Sequence, residues 1–104
     1  MIGERMNHLN LKSAGKQDLT DLLWLEKVLS KIGRRFEMSS SVSDDGSEWV
    51  AVIDSECAET ILHIAWIDGT VIVASSPLRA AIRGSRLRPL LKSALEESGI
   101  NAGA

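Results

Sequence analysis

The stretch ILHIAWIDGTVIVA, Ile61 to Ala74, decides the fold. Asp68-Gly69 stands between two runs rich in β-branched and aromatic residues, and Asp-Gly accepts the positive φ angles of a two-residue hairpin turn. With that loop, Trp66 pairs with Val71 and Ile64 with Val73, and Leu62 extends the same strongly apolar face. The other face collects Ile61, His63, Ala65, Ile67, Ile72 and Ala74. A sheet with helices on one side and water on the other should alternate apolar and polar residues, whereas these strands are apolar on both faces. The second face is therefore expected to be covered, by a second copy of the chain before the N-terminal tail, another partner or a ligand.

Upstream, Phe36, Met38, Ser40 and Val42 alternate with Glu37, Ser39, Ser41 and Ser43, the period of a half-buried strand. Asp44-Asp45-Gly46-Ser47 supplies turn chemistry for another hairpin. Taking Asp45-Gly46 as its loop sets Val42 opposite Trp49, Ser40 opposite Ala51 and Met38 opposite Ile53. An acidic link, Asp54 to Glu59, joins the two hairpins into a four-stranded meander.

Helices flank the strands. Leu22, Leu25, Leu29 and Ile32, with Val28 beside them, form one apolar stripe that Asp18 or Thr20 caps and Gly33 ends. Trp24 completes the edge of that stripe, and Glu26, Lys27, Lys31 and Arg34 stand on the solvent flank. Ser76-Pro77 reads as an N-cap and first-turn proline of a short helix running through Ile82, which Gly84 ends. Ser85 caps a longer one whose stripe is Leu87, Leu90, Leu91, Ala94 and Leu95, closed by Gly99. Pro89 is tolerated because it falls near the start of this helix.

The expected architecture is α+β: an N-terminal helix, a four-stranded antiparallel meander, and one short and one longer C-terminal helix packed on one sheet face. With 104 residues and 44% apolar content, one core is expected. Residues 18–98 form that domain, between a flexible tail over 1–17 and a frayed end over 99–104.

Charge is divided along the chain. From Phe36 to Leu78 there are eight carboxylates and no Lys or Arg, and from Arg79 to Lys92 five basic residues and no acid. Edge strands are commonly guarded by lysine, so the uncharged run Val71, Ile72, Val73 is expected to be a last strand that offers edge contacts to a partner. Arg79, Arg83, Arg86, Arg88 and Lys92 are candidate anion-binding residues that could share a helical surface and contact phosphates. The net charge of -2 excludes a surface basic throughout, so any nucleic-acid contact is local.

Motifs for chemistry are missing. There is no glycine-rich phosphate loop and no G-x-S-x-G elbow, and the single Cys57 sits among carboxylates that disfavour its thiolate. His63 falls on a mostly apolar strand face, and Asp54, Glu56, Glu59 and His63 do not match a metal-loop spacing. No catalytic residue, metal site or cofactor is expected. One cysteine and no long apolar run point to a cytoplasmic, non-membrane protein.

The reading from sequence is a non-enzymatic interaction domain, a homodimer joined through the second face. The interface residues are Ile61, His63, Ala65, Ile67, Val71, Ile72, Val73 and Ala74. Two alternatives stand beside it: a nucleic-acid-binding or regulatory protein using the basic C-terminal surface, and a small-molecule sensor with an apolar pocket bordered by Trp49, Trp66 and His63.

Overall fold

A computed structural model describes residues 14–33, 35–75, 81–97 and 99. In chain order the elements are α1 (Lys16–Lys31), β1 (Phe36–Val42), β2 (Glu48–Asp54), β3 (Glu59–Ile67), β4 (Thr70–Ser75), β5 (Ile82–Gly84) and α2 (Leu87–Glu97). The class is α+β, and the described residues form two helices and one antiparallel sheet in the order β1-β2-β3-β4-β5. Expected parts that fall on residues 1–13, on Arg34, on 76–80 with Ser76-Pro77 and Arg79, and on 101–104 lie outside the described residues.

The β3-β4 hairpin has the expected register, with Trp66 opposite Val71 and Ile64 opposite Val73. Asp68 at φ 50° and Gly69 at φ 77° both occupy the left-handed region, as a two-residue turn of this hand requires. The β1-β2 hairpin departs from expectation by one residue. Met38 pairs with Val52, Ser40 with Val50 and Val42 with Glu48. Here only Gly46 takes a positive φ, 88°, and the Gly46 amide donates to the Ser43 carbonyl at 2.9 Å. Asp44-Asp45-Gly46 is thus a three-residue loop, and Asp45 uses its carboxylate to accept the Ser47 amide at 2.9 Å. A one-residue change in loop length turns every side chain of a paired strand to the other face. Met38 and Phe36 consequently share the core face with Val50 and Val52, while Trp49, Ala51 and Ile53 turn outward.

A second correction concerns the chain after β4. Ile82 to Gly84 is a fifth strand, pairing Val71 with Gly84, Ile72 with Arg83 and Val73 with Ile82, where the last turn of a short helix was expected. Ile82 packs on the core and Arg83 is exposed, the alternation of a strand compressed into three residues. β4 is therefore not an edge. Its outer backbone groups are used by β5, which satisfies the uncharged run internally.

Both helices cover one face of the sheet. Leu22, Leu25 and Leu29 of α1 and Leu87, Leu91, Ala94 and Leu95 of α2 close over Val50, Val52, Leu62, Ile64, Trp66, Val71 and Val73. α1 begins two residues inside the expected tail, and Asp18 serves as the first-turn acceptor of the Gly15 amide at 3.1 Å rather than as the cap itself. The same Oδ2 accepts the Trp66 indole N–H at 3.1 Å, so one carboxylate fixes both the helix start and its place on the sheet. Glu26, expected on the wet flank, is buried, as is Asp21.

Candidate interaction surface

The sheet register assembles the far face row by row. Ser41, Trp49, Ala65, Ile72 and Arg83 lie side by side across all five strands. Ser39, Ala51, His63 and Ala74 form the next row. Across β2, β3 and β4 large and small residues therefore alternate along each row and between rows: Trp49, Ile72 and His63 stand up, and Ala65, Ala51 and Ala74 lie between them. The Trp49 and His63 rings are stacked, with centroids 5.2 Å apart and planes inclined by 28°. Both helices lie on the opposite side, and among the described residues no element lies over this face.

Of the expected interface residues, His63, Ala65, Ile67, Ile72 and Ala74 do lie together here. Ile67, at its end, is 38% exposed. Ile61 sits at a β-bulge where the β2-β3 register shifts between Val52 and Ile53, and it packs against the core cluster. Val71 and Val73 do not belong to the surface: they are 3% and 0% exposed on the core face, and β5 occupies their edge. Trp49, Ala51 and Ile53 belong to this face but were not expected there, and the small Ala51 is itself buried between its neighbours. Both parities of β2 are apolar, so the loop length alone decided which of them faces out.

Exposed charges stand at both margins of the face, with Arg35 immediately before β1 and Glu37 within it at one margin and Arg83 at the other. Glu37 on β1 pairs with Ile53, and Arg83 on β5 pairs with Ile72; both are exposed. Arg83 is the only Lys or Arg in the five strands.

The candidate anion-binding residues are not gathered on one helical surface. Arg79 lies outside the described residues, and Arg83 belongs to the sheet. Arg88 is drawn into the contact between helices, donating from Nε to Asp21 Oδ1 at 3.0 Å, with its guanidinium carbon 4.5 Å over the Trp24 ring centroid. Arg86 and Lys92 remain exposed. A guanidinium already paired with a buried carboxylate is a poor phosphate ligand, so the helical basic surface loses its central member.

The residues proposed to border a ligand pocket are also separated. Trp66 is buried on the core face with its indole N–H used by Asp18, whereas Trp49 and His63 lie on the far face. Beside the bulge is an open depression of about 140 Å³ lined by Thr60, Ile61, Leu62, His63, Ala74 and Ser75. That volume is below the ~300–1,000 Å³ of ordinary small-molecule sites.

Acidic residues at the turns serve local structure. Asp54 is fully buried and accepts the Glu56 amide at 2.9 Å, and Cys57 is exposed in the same turn. Hydrogen bonding from Ser47 holds the Asp45 carboxyl below its ordinary range. Among the described residues no group of three or more His, Cys, Asp or Glu is placed to hold a metal ion, and no helix is long and apolar enough to cross a membrane. Comparison of the chain with known protein families, curated proteins and solved structures finds no match.

Proposed function

We propose that this chain is a small non-enzymatic protein-interaction domain that assembles as a homodimer through the far face of its sheet. The observation that carries this reading is the checkerboard of Trp49, His63 and Ile72 against Ala51, Ala65 and Ala74, on a face over which no helix of the described residues lies. Projections and hollows of similar number on one patch suit a two-fold interface, in which the same patch meets itself. Trp49, stacked on His63 and only partly buried, is the anchor, since aromatic residues supply most of the energy in such contacts.

Strand spacing and rise give the face an area on the order of 500 Å² per copy, below the ~800 Å² per partner of a standard interface. The dimer is accordingly expected in the micromolar range rather than tighter. Light scattering across that range tests the reading together with Ile72→Lys, which places a charge in the middle of the patch. A concentration-dependent dimer that this substitution dissociates supports it, and a monomer at every concentration contradicts it.

A further inference from the structure

We propose that the charged margins set the geometry of this dimer, with Glu37 of each copy paired to Arg83 of the partner subunit. The inference rests on the far-face reading above and specifies how the two faces meet. A two-fold axis lying between the sheets turns one face over onto the other, so opposite margins of a single face can be brought together twice. Glu37 and Arg83 lie on the two outermost strands, β1 and β5, and the strands between them carry no Lys or Arg. The one Lys or Arg of the paired strands thus stands on the margin opposite Glu37, and a partner copy turned over brings the two together.

The register fixes the direction. Arg83 lies in the row of Trp49, Ala65 and Ile72, while Glu37 is level with Ile53, four residues from Trp49 along β2. Strand geometry makes this offset roughly 13 Å along the strands and roughly 19 Å across them. An axis perpendicular to that diagonal superimposes Glu37 on the partner's Arg83 and crosses the two sets of strands at roughly 70°, in the orthogonal class of sheet packing. Aligned packing would leave both charges unmatched. Because the apolar patch is small, rim charges matter here for orientation and for rejecting other faces.

The test uses two single substitutions, Glu37→Arg and Arg83→Glu, studied alone and as an equimolar mixture by sedimentation equilibrium at low salt. Alone, each variant sets like charges against each other at both margins and should weaken dimerisation about tenfold. Mixed, the two variants form a heterodimer in which both margins are again opposite in sign, and the parental affinity should return. Its return also shows that both variants are folded. If each variant dimerises as tightly as the parent, or the mixture is no tighter than its components, the Glu37–Arg83 pairing is wrong. In that event, dissociation of the parent dimer by Ile72→Lys leaves the far-face reading standing. A parent that stays monomeric, or whose dimer ignores Ile72→Lys, overturns both.

Discussion

Arg88 and Asp21 join the two helices from within their contact: Nε and Nη2 of the arginine each lie 3.0 Å from the same Asp21 oxygen, and Asp21 is 1% exposed. Gln17 donates to that oxygen as well, at 3.0 Å. Removing the cation leaves a buried carboxylate supported, among the described residues, by the Gln17 amide. Arg88→Met should therefore cost about 2–4 kcal/mol of stability, read as a lower urea midpoint. Arg88→Lys should recover only part of this loss, because an ammonium cannot reproduce the flat contact with Trp24.

Adjacent residues of β4 should respond in opposite ways. Val73 is 0% exposed in the core, so Val73→Lys should unfold the domain, whereas Ile72→Lys should leave far-UV circular dichroism and the thermal transition of the monomer nearly unchanged. Equal destabilisation by both substitutions would mean that the far face is already covered within one chain.

Asp18 ties the start of α1 to β3 by accepting from both Gly15 and Trp66. Asp18→Ala should cost about 1–2 kcal/mol. A double-mutant cycle with Trp66→Phe should show coupling of about 0.5–1.5 kcal/mol, measured from denaturant midpoints. Additive losses would remove the indole–carboxylate bond from the account.

The three-residue loop of the β1-β2 hairpin has a pH signature. The folded Asp45 carboxyl titrates below its ordinary 3.8 because Ser47 bonds to its charged form, whereas the unfolded chain lacks that bond. Its contribution is present above the ordinary carboxylate value and is lost as pH falls through the lower folded value. Asp45→Ala should therefore be less stable than the parent at neutral pH, with the difference shrinking in acid. Asp45 is fully exposed, so the effect is small and calls for paired denaturation curves.

The two Asp-Gly hairpins show how far the fold is legible from residues alone. At Asp68-Gly69 both flanking strands demand the two-residue loop, and the Trp66–Val71 register follows from it. At Asp45-Gly46 the preceding Asp44 makes a three-residue loop equally acceptable, and both parities of β2 are apolar. Only packing under α1 and α2 selects Val50 and Val52 for the core. β5 is not legible in the sequence because three residues are too few to establish a period, and Ser76-Pro77 resembles a helix start. The apolar far face was visible in β3 and β4, but the share contributed by Trp49, Ala51 and Ile53 depended on the register. The pairing of Arg88 with Asp21 joins residues far apart in sequence, beyond the reach of local pattern.

Trp49 offers an optical check on the interface. As the tryptophan on the far face, it should shift its emission to the blue as concentration rises through the dimerisation range. Trp49→Phe should abolish that shift. A spectrum independent of concentration would place Trp49 outside any interface.

The most direct test of the central claim is the solution mass by light scattering as a function of concentration, for the parent and for Ile72→Lys. The account predicts a rise in the parent from the 11.3 kDa of one chain toward twice that value across the micromolar range, with the variant remaining at one chain. A parent that keeps the single-chain mass throughout, or a variant that rises in step with it, would contradict the assignment of the far face as the dimer interface.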